Sequence, residues 1–150
     1  MIIDAYGLLS DAQAITVDAV STNIIDFGNI TPKRDPFNGE PMCLAFAVDV
    51  AADFTTTDEV YEFQAITSAG TDMGTPTILC LKGILAAALT AGSVHYLPLP
   101  PGVPTMLRYF SAYYNVGGTT PTLTITCCLQ PQSMIQSPAS RFAASGYSVS

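Results

Sequence analysis

The sequence predicts an all-β domain, a jelly-roll-like sandwich of about eight strands in two sheets. Three observations lead there. Apolar residues recur at every second position through most of the chain, the period of a half-buried strand. Turn-forming Pro, Gly, Asn, Asp and Ser separate these runs at short intervals. Helical signals are confined to short stretches. An immunoglobulin-like sandwich is the alternative, and the absence of Trp removes one of its usual core marks. No internal repeat is present.

The opening segment is mixed. In SDAQA, Ser10 can cap a single helical turn, because its hydroxyl can accept from the free amides that follow. AITV (Ala14–Val17) and TNIIDF (Thr22–Phe27) read as short strands. Ile30–Pro41 holds three prolines and a glycine and reads as a loop, long for a compact domain. Met42–Val50 is a near-continuous apolar strand, and AADFTTTDE turns the chain. Val60–Ser68 alternates, with Tyr61, Phe63 and Ala65 on one face and Glu62 and Gln64 on the other. TILCLKG follows as a strand, and the Ala run of ILAAALTAG permits one helical turn. Ser93–Pro104 starts as a strand and stiffens with proline; Pro98 has no amide to donate, which predicts an edge.

The last two strands are the clearest. TMLRYFSAYYNV puts Leu107, Tyr109, Ser111 and Tyr113 on one face and Arg108, Phe110, Ala112 and Tyr114 on the other. TLTITCCLQ turns Leu123, Ile125, Cys127 and Leu129 inward and Thr124, Thr126, Cys128 and Gln130 outward. GGTTP is expected to join the two as a hairpin, with Gly117 and Gly118 free to take positive φ. The Ser- and Ala-rich tail has no period. The predicted organisation is therefore one domain over residues 1–134 and a tail or arm over 135–150.

Composition narrows function. The chain has 150 residues, 49% of them hydrophobic and only 11% charged. Charged residues average about 25% in soluble domains. None occurs between Arg108 and Arg141. Depletion of charge and enrichment in Tyr, Phe and Met mark protein interfaces. Either both faces of the last strands are covered within the domain, or one face meets a partner. The net charge of −7, with five scattered cations, argues against binding nucleic acid. The most apolar run, Thr77–Gly92, is interrupted by Lys82 and Gly83 and falls short of a membrane span. Asp4 stands where a signal peptide would be basic, so export is not expected and the thiols are expected to be reduced.

Signatures of chemistry are weak. The four cysteines lack metal-site spacing. His95, the single histidine, reads as a plain strand residue with no nucleophile motif beside it. The acids Asp49, Asp53, Asp58, Glu59 and Glu62 read as a solubilising turn and strand face, not a calcium loop. No phosphate-cradling glycine motif occurs. A hydrolase built on His95 or on the acids near Asp58 has no positive support.

Eight stretches in order resemble the capsid cement, or decoration, proteins of short-tailed bacteriophages. They are LLSDAQAIT, STNIIDFG, VDVAAD, YEFQ, AALTAGS, LPLPPG, GGTTPT and LQPQSM, spread from Leu8 to Met134. The resemblance implies a jelly-roll-like domain on the outer surface of an icosahedral head, made in the host bacterial cytoplasm. Its implied partner is the major capsid protein of HK97-type fold, whose neighbouring subunits it bridges. It further implies a homo-oligomer, a dimer before a trimer, with no enzyme activity, cofactor, nucleic acid or membrane. Expected contact residues are Phe110, Tyr114, Thr124 and Thr126 on the last two strands, Arg34 and Phe37 in the long loop, and Met134 before the tail. The competing expectation is a carbohydrate- or receptor-binding sandwich of a virion, which the lack of Trp disfavours.

Overall fold

The computed structural model describes residues 7–28, 39–101 and 106–135. Its strands are β1 (Leu8–Ile15), β2 (Ala19–Val20), β3 (Ile25–Asp26), β4 (Met42–Val50), β5 (Val60–Ser68), β6 (Thr77–Ile84), β7 (Val94–Pro98), β8 (Tyr109–Gly117) and β9 (Leu123–Pro131). Two short 3-10 turns, η1 (Ala86–Ala88) and η2 (Gln132–Met134), complete the elements among the described residues. The alanine run permits η1, as expected.

All strand pairs are antiparallel. One sheet runs β1-β9-β4-β7 and the other β2-β8-β5-β6, with β3 also on β8. β2 and β3 follow each other along β8, opposite Tyr113–Tyr114 and Tyr109–Phe110, with the Ser21 amide bonded to the Ala112 carbonyl between them. They behave as one interrupted strand, which leaves four strands in each sheet. Successive strands change sheet at every connection except β5–β6. That is the jelly roll, and the expected fold class holds.

The sheets close on an aromatic stack. Phe46 of β4 lies 4.7 Å from Phe63 of β5, nearly parallel. Tyr114 of β8 meets both edge-on, at 6.3 and 5.9 Å. Its hydroxyl shares a 2.7 Å hydrogen bond with the Ser10 hydroxyl of β1, so a buried polar atom is satisfied across the sandwich. Burial pushes the Tyr114 hydroxyl well above its usual pKa.

Several sequence expectations need correction. SDAQA is not helical: Leu8–Ile15 pairs with β9 and buries Leu9 and Ile15. Ser10 uses its hydroxyl on Gln13 and Tyr114 instead of capping amides. The register slips twice, and Ala12 takes a φ of 44°. Those bulges blunt β1 as an edge, just as Pro98 blunts β7 at the opposite edge.

GGTTP is not a hairpin either. β8 pairs with β5, β2 and β3, whereas β9 pairs with β1 and β4, so this segment carries the chain from one sheet to the other. The face of β8 bearing Phe110, Ala112 and Tyr114 is the core face. The opposite face is also covered at Ser111. On β9 the inward set holds, with Leu123, Ile125 and Cys127 in the core. The outward set is largely covered too: Thr126, Cys128 and Gln130 are buried and Thr124 is half-buried. β8 and β9 are central strands with both faces largely closed, and this accounts for their lack of charge.

Two predictions follow from this packing. Phe63→Ala should lower the unfolding free energy by about 3–5 kcal/mol in a denaturant titration, because the cavity opens in the stack. A loss below about 1 kcal/mol would contradict the stack's role. Burial raises the Cys43 thiol from 9.0 to about 11, so at pH 8 its alkylation should be roughly 100-fold slower than in the unfolded chain.

Candidate interaction surface

The expected contact residues are not gathered into one surface. Phe110 and Tyr114 are fully buried between the sheets, taken up by the core, and neither is available at a surface. Thr126 is nearly closed off; its hydroxyl donates to Asp49 at 2.7 Å and accepts from the Ala12 amide at 3.0 Å. Thr124 is half-buried on β9. Met134 is exposed on η2, beside exposed Ile135, at the end of the sandwich where β4 begins. Arg34 and Phe37 lie outside the described residues, as do 136–150 of the expected tail.

The opposite end, where β4 finishes and β5 begins, has a different character. Strand register brings four connections together there: 16–18, 51–59, 85–93 and 118–122. Five large apolar side chains project from them or from the adjoining strand ends: Val17, Val50, Phe54, Val60 and Leu85. Each is 50–80% exposed. Monomeric domains seldom concentrate large apolar groups this way without a use for them.

The connections are tied to one another. The Asp53 amide donates to the Thr122 carbonyl at 2.9 Å. The buried Tyr61 hydroxyl donates to the Asp53 carbonyl at 2.7 Å and accepts from the Thr122 amide at 3.2 Å. Asp58 accepts from the Thr119 amide and hydroxyl at 3.1 and 3.0 Å. The Ala52 amide reaches the Leu89 carbonyl at 2.9 Å, and the Val116 amide reaches Asp18 at 2.9 Å. His95 Nε2 sits 3.1 Å from the Ser93 hydroxyl and 3.2 Å from the Ala88 carbonyl, so it holds the connection that carries Leu85. Burial keeps this imidazole below its ordinary pKa. Gly118 seals the crossing: its φ is +96°, and an added Cβ would lie 2.5 Å from the Asp58 carbonyl oxygen. These loops therefore present their apolar tips from fixed positions.

The surroundings are acidic. Asp18, Asp53, Asp58 and Glu59 lie on the same connections. Hydrogen bonds from the Thr55 hydroxyl and amide lower the Asp53 carboxyl below its usual range, and bonds from Thr56 and Thr119 do the same for Asp58. Among the described residues no cluster of His, Cys, Asp and Glu is arranged to hold a metal ion. The two described cations are engaged elsewhere. Lys82 donates to the Tyr96 carbonyl at 3.3 Å. Arg108 forms a two-pronged pair with Asp26, both contacts 2.8 Å, near the other end.

Sequence reading pointed to Asp53, Asp58 and Glu59, though only as solubilising groups, and not to Asp18. The exposed apolar tips escaped it because an isolated Val or Leu in a turn has no pattern; topology alone gathers them.

Tyr61→Phe should cost about 1–2 kcal/mol and raise amide hydrogen exchange at Asp53 and Thr122 specifically. Gly118→Ala should cost more, about 2–4 kcal/mol, since a positive φ and a backbone clash act together. Equal stability of Gly118→Ala and wild type in thermal unfolding would contradict the close crossing.

Residues 9–126 match the family model Bbp16, a span from β1 into β9 that takes in most of the sandwich. No curated protein matches the chain. On that family-model match over most of its length, the chain belongs to the Bbp16 family.

Proposed function

We propose that this protein is a structural part of a bacteriophage particle. It binds the outer surface of the icosahedral head and cements neighbouring major capsid protein subunits, of HK97-type fold, against the pressure of packaged DNA. The observation that carries this reading is the acidic loop end with its five exposed apolar side chains on mutually bonded connections. Such a surface suits adhesion. Fully burying one such side chain is worth about 1.5–3 kcal/mol, and repetition over many identical sites multiplies the effect. Membership of a phage-related family supports the reading, as does the resemblance of eight sequence stretches to capsid cement proteins.

Electrostatics supports an outside location. A chain of net charge −7 with an acidic contact end is repelled by DNA and attracted to a basic protein surface. In this role the protein performs no reaction and needs no cofactor. It acts as a homo-oligomer, in the simplest case a dimer, so that one unit reaches two capsid subunits.

Purified protein should co-sediment saturably with heads that lack it and move DNA release to higher temperature. Phe54→Asp and Leu85→Asp, both on exposed tips, should fold normally and weaken that binding at least about 10-fold. Wild-type protein that never sediments with intact heads would overturn the proposal.

A further inference from the structure

We propose that the outer face of the β5–β8 sheet carries a second site, a pocket for a neutral saccharide. It lies on a sheet face and not on the apolar loop tips, and it stands independently of the capsid reading. On β5, Glu62 and Gln64 alternate with the core residues Tyr61, Phe63 and Ala65, so they face away from the core. On β8, Asn115 and Tyr113 lie directly opposite them. Gln64, Tyr113 and Asn115 meet a wall formed by Met73, Gly74, Pro76 and Ile78, and the open pocket between them measures about 440 Å³. Small-ligand sites span about 300–1,000 Å³ and combine apolar walls with a few placed polar groups.

The polar groups are fixed in advance. One oxygen of Glu62, Oε1, accepts from Gln64 Nε2 at 2.6 Å and from Asn115 Nδ2 at 3.2 Å. Both amides are thereby oriented. Among the described residues their carbonyl oxygens meet no protein donor, yet neither is sealed from solvent. Gln64 is itself more than nine-tenths buried, with 7% of its surface exposed. A nearly buried amide whose oxygen stays open to a cavity is a group prepared for a hydrogen-bond donor.

The wall is built with equal care. Met73 takes a φ of 52°, a left-handed conformation that a non-glycine residue keeps only when its surroundings impose it. The Met73 amide bonds the Gly70 carbonyl at 3.3 Å, and the Gly74 amide bonds Asp72 at 3.1 Å. An added Cβ on Gly70 would come within 2.8 Å of the Asp72 carboxylate and would displace that side chain. The result keeps Met73 almost fully covered at the rim of the pocket.

Ligand chemistry follows from this lining. Acceptors are supplied by the two amide oxygens of Gln64 and Asn115, with the Glu62 carboxylate behind them holding both amides. Among the described residues no cation lines the cavity, which disfavours anions. Apolar walls from Met73, Pro76 and Ile78 suit a C–H surface. A molecule with several hydroxyl donors on one side and a C–H face on another is a pyranose sugar.

The test is an amide NMR titration of the full chain with maltose, lactose, cellobiose and N,N′-diacetylchitobiose, with glucuronate as the charged control. At least one disaccharide should give saturable shifts centred on Gln64, Met73, Gly74, Tyr113 and Asn115, and glucuronate should give none. Gln64→Ala and Asn115→Ala should each weaken binding about 10-fold or more. If either variant fails to fold, Ile78→Asp on the exposed wall serves in its place and should do the same. No saturable shift with any disaccharide, shifts centred elsewhere, equal binding of glucuronate, or undiminished affinity in the folded variants would each overturn the proposal.

Discussion

The two sheets share few backbone hydrogen bonds, so the contact between their inner faces holds the molecule together. At its centre that contact is the cluster of Phe46, Phe63 and Tyr114, with one ring from the first sheet and two from the second. Nearly every connection must then step from one sheet to the other around this core. The stepping gathers the chain's turns at the two ends of the sandwich. The loop end is a consequence: Val17, Phe54 and Leu85 are far apart in sequence and become neighbours in role only because the strands around them pack against one aromatic centre.

Local pattern revealed most strands and half of the faces. Tyr61, Phe63 and Ala65 were legible as core because their alternation is strict. Pro98 was legible as an edge because a missing amide has only one structural meaning. The connection between β8 and β9 was not legible. A glycine-rich turn after an apolar strand has the same local signature whether the next strand returns beside it or crosses to the other sheet. The deciding contact is Gly118 against Asp58 and Glu59, about sixty positions earlier in the chain. The core face of β8 was ambiguous for a related reason. Both of its faces are largely covered, so aromatic residues on one and Tyr and Ser on the other carried no polarity contrast. Ser10 misled because a hydroxyl that can cap a helix can equally satisfy a buried tyrosine.

The charge-free stretch from Tyr109 to Pro131 owes its composition to burial within the chain. That observation moves the proposed adhesive surface from the central strands to the loop end. It also separates two jobs. Central strands supply rigidity and leave nothing for a partner to grip. Loops fixed by Tyr61, Asp58 and His95 present apolar tips without the entropic cost of ordering them on contact. Low net use of charge, which first suggested an interface, thus has two sources: deep central strands, and exposed tips among carboxylates.

The proposed orientation on the capsid is the claim most exposed to a single observation. A cryo-electron reconstruction of heads carrying the protein, at side-chain resolution, would show which surface meets the shell. The expected result is Phe54 and Leu85 seated in apolar sockets on the major capsid protein, with basic side chains facing Asp18 and Asp53. A reconstruction in which the loop end faces solvent and another face of the sandwich touches the shell would contradict it.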